Sequence, residues 1–192
     1  MICVENLTKI YGKTKVVNDL SFTVNPGKIT GFVGNNGVGK TTTMLMMLGL
    51  KKTNGGRILY NNKSLSAYVD PLRVASFVSN DDIFNPGFTV REYLRSLAIL
   101  FGIPKVRVEE VTKEVGLVDQ SNKTIKKLSN GMKQKLKIAA AILAEPKYLI
   151  LDEPFNGLDP ENVKWLRNFL QNYVKNGERA VFISSHILIE LA

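Results

Sequence analysis

This sequence is organised around the stretch Gly34-Asn35-Asn36-Gly37-Val38-Gly39-Lys40-Thr41. The stretch matches the phosphate-binding pattern GxxxxGK[ST], and it follows a short apolar run of strand length, Ile29 to Val33. The residues after it, Thr41 to Leu50, are rich in Met and Leu and are predicted to form a helix. The pattern requires a strand, a loop and a helix in this order. The stretch therefore indicates a site for the phosphates of a nucleotide.

The residue types of this loop suit phosphate binding. Glycines let the backbone curl, so that successive N–H groups and the helix N-terminus face phosphates. Lys40 is expected to reach the β and γ phosphates, and Thr41 is expected to offer its hydroxyl to Mg²⁺. The expected nucleotide-binding residues here are Gly34, Asn35, Asn36, Gly37, Val38, Gly39, Lys40, Thr41 and Thr42.

Two carboxylates follow the apolar run Leu149 to Leu151, namely Asp152 and Glu153. Ligands bind at the carboxyl ends of strands in open parallel sheets, which makes both carboxylates candidate site residues. Asp152 is expected to hold Mg²⁺ through water. Glu153 is then placed to polarise an attacking water as a general base, a role worth about 10²- to 10⁴-fold in rate.

The rest of the sequence alternates between strand and helix patterns. Period-two alternation around 2–4 and 20–24 predicts half-buried antiparallel strands at the start. The segment from Thr89 to Ala144 has helical periodicity, and Glu92 completes a capping box with Thr89. Further strands are predicted at 57–60, 77–78, 148–151 and 180–184, and a further helix at 160–176. These patterns predict an α/β fold with a doubly wound parallel sheet, a β-rich start and a helical insertion.

Composition excludes several classes of protein. The chain has 192 residues, 44% hydrophobic and 22% charged, so it is neither disordered nor collagen-like and fits one globular domain. Its net charge of +9 suggests an anionic partner, whether nucleotide, nucleic acid or lipid surface. No apolar run approaches the roughly 18 residues needed to cross a bilayer. One cysteine, Cys3, and the lack of a signal-peptide pattern predict the reducing cytosol.

A further motif gives the sequence a resemblance to a known family. The run Leu128-Ser129-Asn130-Gly131-Met132 is similar to the LSGGQ signature of the nucleotide-binding domains of ABC (ATP-binding cassette) ATPases. Ser129 can cap a helix, and with the Gly131 backbone it can hold a γ-phosphate at that helix N-terminus. In the family this phosphate belongs to ATP on the other subunit, which is the role that the resemblance implies for Ser129 and Gly131.

Three more matches follow the family order. Tyr11 resembles the aromatic residue that stacks on adenine. Asn156-Gly157-Leu158-Asp159 resembles the D-loop, which crosses the dimer interface. His186 resembles the switch histidine that contacts the γ-phosphate. The resemblance thus implies a catalytic group of Lys40, Glu153 and His186, with ATP and Mg²⁺ as cofactors.

The sequence departs from the family pattern in three places. The family has a glutamine that contacts Mg²⁺, whereas this chain offers Asn80 and has no Gln between Lys40 and Gln120. The shorter amide of Asn80 is expected to act through water. The signature itself has Asn130 and Met132 in place of Gly and Gln. Finally, six residues follow His186, where the family continues, and we expect a chain shortened at its C-terminal end.

The resemblance implies a P-loop NTPase (RecA-like) core in one domain, 1–192. Residues 1–88 and 145–192 would form the nucleotide-binding core with an antiparallel β subdomain, and 89–144 an inserted α-helical subdomain. It implies an ATPase that powers transport by ATP-driven dimerisation of two cassettes, as homo- or heterodimer, on separate transmembrane permease subunits. The residues of these motifs resemble those of the bacterial exporter branch for antibiotic or peptide resistance. The implied location is cytoplasmic, at the inner face of the membrane.

Two other functions remain open from the sequence. A soluble ABC ATPase acting on nucleic acid or ribosomes would suit the net charge of +9. Such relatives usually carry two cassettes, a long coiled-coil insertion or a zinc motif, none of which is present here, so no direct nucleic acid partner is expected. A non-hydrolysing regulatory cassette is opposed by Lys40, Thr41, Asp152, Glu153 and His186, while Asn80 keeps it open.

Overall fold

A computed structural model of the chain describes residues 1–81 and 84–186. Its strands are β1 (Ile2–Tyr11), β2 (Thr14–Val24), β3 (Ile29–Val33), β4 (Gly55–Tyr60), β5 (Ala75–Val78), β6 (Tyr148–Leu151) and β7 (Ala180–Ser185). Its α-helices are α1 (Lys40–Met47), α2 (Val90–Leu100), α3 (Lys105–Glu114), α4 (Asn130–Ile142) and α5 (Pro160–Val174). All predicted strands and helices have a counterpart among these elements.

The strands form two sheets. The first is antiparallel, in the order β2-β1-β4, and pairs Ile2 of β1 with Val24 of β2 and Tyr60 of β4. The second is parallel, in the order β3-β7-β6-β5. Every residue of β6 and β7 is buried, because both faces of these central strands are covered. The predicted α/β fold with its parallel sheet and antiparallel start is therefore confirmed.

The parallel sheet separates two apolar cores. Successive residues of a strand point to opposite faces, so Leu149 and Val181 pack with helices α2 to α5. Ile150 and Phe182 point the other way and pack with α1 and the antiparallel sheet. Phe182 stacks there on Phe22 of β2, with ring centroids 5.1 Å apart. The two sheets are thus joined through one core, and the helical segment is joined to the sheet through the other.

Local sequence signals predict the start of helix α2 correctly but not the end of helix α1. The capping box of α2 is present, with Thr89 and Glu92 each accepting the other's backbone N–H. The prediction for α1 was too long, because the helix ends at Met47 and Gly49 follows with a left-handed φ of 70°. Within residues 1–81 and 84–186, no helix combines the length and the apolar character needed to cross a bilayer.

Strand β3 forms an edge of the parallel sheet. In the described part of the chain it pairs with β7 alone. Ile29 and Val33 share one face of β3 and are 38% and 39% exposed. This face of β3 is therefore apolar and accessible to solvent, unlike the faces of β6 and β7.

Candidate functional site

The carboxyl ends of the parallel strands meet at one edge of the sheet. The register pairs Val33 with Ser185, Leu151 with Ile183 and Val78 with Leu151. The chain leaves all four strands on the same side, where open parallel sheets bind ligands. The predicted residues that the following loops bring to this edge are Lys40, Thr41, Asn80, Asp152, Glu153 and His186.

The glycine-rich loop leads from β3 into α1 and lies close to β2. Gly39 has a φ of 92°, in the left-handed region, and a Cβ at this position would lie 2.8 Å from the carbonyl oxygen of Val16. A side chain is excluded both by the backbone conformation and by the neighbouring strand. Gly39 is therefore needed for the position of the loop itself.

Lys40 is held inside this loop, and only 6% of it is exposed. Its Nζ donates to the carbonyl oxygens of Gly34 at 2.5 Å and Asn35 at 3.1 Å. The same Nζ lies 3.0 Å from Oε1 of Glu153. The buried ammonium thus has a carboxylate partner and two carbonyl oxygens, as a buried charge requires.

Both carboxylate oxygens of Asp152 are held by hydroxyl groups. Thr41 Oγ1 donates to Oδ2 at 2.5 Å, and Ser184 Oγ donates to Oδ1 at 2.6 Å. Ser184 Oγ also accepts the backbone N–H of Glu153 at 2.8 Å. These bonds fix the orientation of the Asp152 carboxylate beside the first turn of α1.

Glu153 has a φ of 47°, a left-handed conformation that costs a non-glycine residue about 1 to 3 kcal/mol. The resulting turn brings its carboxylate to Lys40 and to His186, whose Nδ1 lies 2.8 Å from Oε2. Burial raises the pKa of Glu153, but hydrogen bonds from His186 and Lys40 lower it by more. The net pKa lies below the ordinary value, so Glu153 is ionised at neutral pH.

These residues surround a cavity of about 370 Å³. Asn80, in the loop after β5, lies in its wall, and its backbone carbonyl oxygen accepts from Lys137 Nζ at 2.9 Å. The residues lining the cavity are Val16, Asn36, Gly37, Gly39, Lys40, Thr41, Thr42, Asn80, Asp152, Glu153 and Asn156. A cation, an amide and two carboxylates therefore converge on one space.

The groups in this cavity fit a phosphate chain and Mg²⁺. A buried ammonium and a glycine-rich helix start are suited to phosphate oxygens. The hydroxyl of Thr41 and the carboxylate of Asp152 are hard oxygen donors in mutual contact. The described residues contain no cluster of three or more His, Cys, Asp or Glu side chains that would hold a metal alone. Mg²⁺ suits such a site, since it is usually bound by one or two carboxylates together with substrate phosphates and water.

Six predicted nucleotide-binding residues do not line this cavity. Gly34, Asn35 and Val38 belong to the glycine-rich loop itself, and the other three lie elsewhere in the fold. Tyr11 is partly exposed, and the Nζ atoms of Lys9 and Lys51 lie 5.1 and 5.4 Å from its ring centroid. Lys51 Nζ also donates to the Tyr11 hydroxyl at 3.1 Å. The other two, Ser129 and Gly131, belong to the start of α4. The structure thus places Lys side chains beside the ring of Tyr11.

Ser129 caps α4 as predicted, because its Oγ accepts the N–H of Met132 at 3.3 Å. Gly131, in the first turn, touches the start of α5: a Cβ at Gly131 would lie 2.2 Å from Nδ2 of Asn162. Asn162 Nδ2 is itself fixed by both carboxylate oxygens of Asp159, at 3.0 and 2.8 Å. The signature-like run is therefore linked to Asp159 of the D-loop-like run through the Asn162 side chain.

Sequence reasoning missed Ser184 and Val16 as parts of the site. Ser184 ends an apolar strand run with a polar residue, and this signal was available in the sequence. Val16 has no such signal, because it reaches the cavity only through the pairing of β2 and the approach of the loop. Asn156 also lines the cavity, although the resemblance suggested a role at a dimer interface for its run.

Comparisons with known proteins agree with this geometry. The profile of the family described as ABC transporter matches residues 17–156. The bacitracin transport ATP-binding protein BcrA of Bacillus licheniformis is 42% identical over 188 residues, which cover 97% of this chain and 61% of BcrA. The lantibiotic transport ATP-binding protein SrtF of Streptococcus pyogenes is 31% identical over 191 residues, which cover 100% of this chain and 82% of SrtF. The chain spans 61% to 62% of the length of several curated relatives.

A solved structure gives the same result for the fold. The protein cbiO1 from Clostridium perfringens, described as part of the ABC transporter complex cbiONQ, superposes with a TM-score of 0.84 at 29% identity. The match covers 97% of this chain and 78% of cbiO1. The resemblance that the signature and loop motifs predicted is confirmed, and the bacitracin and lantibiotic relatives agree with the predicted branch. The chain belongs to the ABC transporter family.

Proposed function

We propose that the chain binds and hydrolyses ATP as the ATP-binding subunit of a transporter. The observation that carries this proposal is the contact group around one cavity, formed by Lys40, Thr41, Asp152, Glu153 and His186. A cation for phosphate, oxygen ligands for Mg²⁺ and a base for water are the parts that phosphoryl transfer needs. The transport ATP-binding relatives support ATP as the nucleotide.

In the proposed reaction the loop from Gly34 to Thr42 binds the phosphates through its N–H groups and Lys40. Glu153 accepts a proton from water while the water oxygen attacks the γ-phosphorus. The bond from that phosphorus to the β–γ bridging oxygen breaks, and ADP and inorganic phosphate are released. His186 is hydrogen-bonded to Glu153, so it orients the carboxylate. Its proposed contact with the γ-phosphate rests on the family resemblance.

Mg²⁺ would be held by Thr41 and Asp152, with Asn80 in reach through water. When bound, the ion neutralises phosphate charge. The location of Asn80 in the cavity wall supports this assignment. Its carbonyl oxygen is held by Lys137 of α4, which suits a residue that links the metal site to the helical segment.

ATP is proposed to bring two copies of the cassette together. Ser129 and Gly131 then contact the γ-phosphate of ATP on the other subunit, at the N-terminus of α4. Their position at a helix start outside their own cavity supports this role. Tyr11 stacks on adenine once a flanking lysine moves from its ring.

Closure and hydrolysis drive separate permease subunits, so the chain works at the inner face of the membrane. Export of an antibiotic or peptide is the proposed direction and substrate class, supported by BcrA and SrtF. We also propose the division into a core, 1–88 and 145–192, and a helical subdomain, 89–144. The helices between 90 and 142 support it.

The relatives favour transport over the nucleic acid alternative, since BcrA, SrtF and cbiO1 are all transporter proteins. The non-hydrolysing alternative is opposed by the ionised Glu153 beside His186. A regulatory cassette has no need of a carboxylate held ready as a base.

Substitution of Glu153 tests the proposal. Glu153→Gln should retain ATP and lower turnover by about 10²- to 10⁴-fold, because it removes the base and keeps the phosphate site. The trapped ATP should yield a dimer on size-exclusion chromatography. Lys40→Ala should lose tight Mg-ATP binding in calorimetry, because it removes the only side-chain cation of the loop.

The matched control is Glu178→Gln, which removes an exposed carboxylate far along the chain from the loop. It should hydrolyse ATP at the native rate. Native turnover in Glu153→Gln, or native Mg-ATP affinity in Lys40→Ala, would contradict the proposed site. A Glu153→Gln protein that stays monomeric at saturating ATP would contradict the role of Ser129 and Gly131.

A further inference from the structure

Ser184 lies beside Asp152 because of the strand register. Leu151 of β6 pairs with Ile183 of β7, so the next residues along the two strands, Asp152 and Ser184, are neighbours. Ser184 shares the face of β7 that carries Phe182, which points toward the core containing α1. Its exposed fraction is 0%. A hydroxyl at this position is therefore removed from water and has to be satisfied by the protein.

The hydroxyl of Ser184 makes two bonds of opposite direction. The single Ser184 hydroxyl proton is donated to Oδ1 of the Asp152 carboxylate at 2.6 Å. The lone pairs of Ser184 Oγ then accept the N–H of Glu153 at 2.8 Å. The Ser184 hydroxyl thus holds the side chain of Asp152, the proposed Mg²⁺ ligand, and the backbone of Glu153, the proposed general base.

The turn at Glu153 explains why this second bond matters. The φ of 47° turns the backbone sharply at the residue that follows Asp152. The N–H of Glu153 is buried and bonds to Ser184 Oγ, so removal of that hydroxyl would leave it unpaired in the fold as it stands. Relaxation of the turn to find another acceptor would move the Glu153 carboxylate relative to Lys40 and His186.

The contacts form a continuous series from Thr41 through Asp152 and Ser184 to Glu153. We propose that Ser184 is a positioning residue that sets the Mg²⁺ carboxylate and the catalytic base at a fixed separation. The inference rests on the proposed ATPase function. The role is specific to the hydroxyl, because the neighbouring residues of β7 that face the same core, Ala180 and Phe182, are apolar.

The test compares three variants of the whole chain. Ser184→Ala removes the hydroxyl, and Ser184→Thr keeps it with one added methyl. Thr112→Val is the matched control, because Thr112 is also buried and donates its hydroxyl proton, to the Val108 carbonyl oxygen in α3. Each protein is assayed for turnover against free Mg²⁺, for ATP affinity in Mg²⁺ and in EDTA by calorimetry, and for Tm.

Ser184→Ala should lower kcat and raise the Mg²⁺ concentration for half-maximal turnover, each by about 10- to 100-fold, the usual effect of removing a partner of a metal ligand. Its ATP affinity in EDTA should stay native, while the gain in affinity on adding Mg²⁺ should shrink. Thr112→Val should lower Tm without changing the Mg²⁺ dependence. Ser184→Thr should restore the Mg²⁺ dependence even if the extra methyl lowers Tm.

Native kcat and native Mg²⁺ dependence in Ser184→Ala would overturn the inference and leave the ATPase proposal intact. A defect in Ser184→Ala that is limited to Tm, as in Thr112→Val, would also overturn it, since packing alone would explain the result. A native chain that neither binds nor hydrolyses ATP would overturn the proposed function and the inference together.

Discussion

The ammonium group of Lys40 has three protons, and three oxygen atoms of the folded chain lie within 3.1 Å of it. A phosphate oxygen that binds Lys40 has to replace at least one of these partners. Replacement of Glu153 Oε1 would remove Lys40, one of the two groups that lower the pKa of Glu153 through hydrogen bonds. We therefore expect phosphate binding to make Glu153 a stronger base, which couples nucleotide binding to activation of water.

The pH dependence of stability tests this view of Glu153. Its folded pKa lies below the ordinary value of 4.5, so its stabilising effect is present above that value and is lost as pH falls through the lowered folded pKa. The unfolding free energy of the native chain should exceed that of Glu153→Gln at neutral pH, and the gap should close in acid. Urea unfolding of both proteins at a series of pH values measures this difference in unfolding free energy. A gap that persists in acid, or is absent at neutral pH, would contradict the assignment.

At the scale of elements, the starts of α4 and α5 are in direct contact. Gly131 is helical and has no positive φ, so its backbone does not demand glycine. Glycine is required at position 131 because a Cβ there would overlap the Asn162 side chain. Two hydrogen bonds to Asp159 keep that side chain from moving away. The α4 helix that carries Ser129 is thus located by a residue that follows the D-loop-like run.

A double substitution tests this contact. Gly131→Ala should lower the unfolding free energy by about 1 to 3 kcal/mol, because the new methyl overlaps Asn162. In an Asn162→Ala background the same change should be neutral or stabilising by up to about 1 kcal/mol, since alanine then has room and is the better helix former. Urea unfolding of the four proteins gives the coupling energy. Additive effects would show that Asn162 does not set the requirement.

The helix caps and the sheet strands were predictable because their signals are local. Thr89 and Glu92 lie three residues apart, and β6 is an apolar run in the sequence itself. The position of the glycine-rich loop between β3 and α1 was predictable for the same reason. The contacts of Ser184 with Asp152 and of Asn162 with Gly131 were not, because each joins residues about 30 positions apart through strand register or helix packing. The contact of Lys51 with the Tyr11 ring was not predictable for the same reason, since Lys51 lies in the segment after α1, far from Tyr11 in the sequence.

At the scale of the whole molecule, the site lies where the two apolar cores share one sheet. Val181 and Phe182 are adjacent in β7 yet belong to different cores. A shift of β7 would therefore disturb both cores at once, which makes the strand a rigid support for Ser184 and His186. Part of the net charge of +9 lies inside the cavity, since the buried Lys40 supplies a cation to the proposed phosphate site.

The accessible edge of the parallel sheet allows a prediction for the whole molecule. In the described part of the chain β3 bonds to β7 alone, so its outer N–H and C=O groups are available to another strand. Ile29→Lys should reduce self-association of the nucleotide-free chain at high concentration, because an edge lysine opposes strand pairing. Val69→Lys is the control, since Val69 is fully exposed but lies in no strand. Equal effects of both changes in light scattering would show that general hydrophobicity, not the edge, is responsible.

The accessible edge at β3 also affects how the protein behaves at the high protein concentration inside a cell. An accessible apolar edge strand next to the glycine-rich loop can pair with a strand of another molecule, so a protein that stays dispersed needs this strand covered. Whatever covers β3 would also press on Val33, the last residue before Gly34. Protection from aggregation and the shape of the phosphate loop are therefore linked through a single strand.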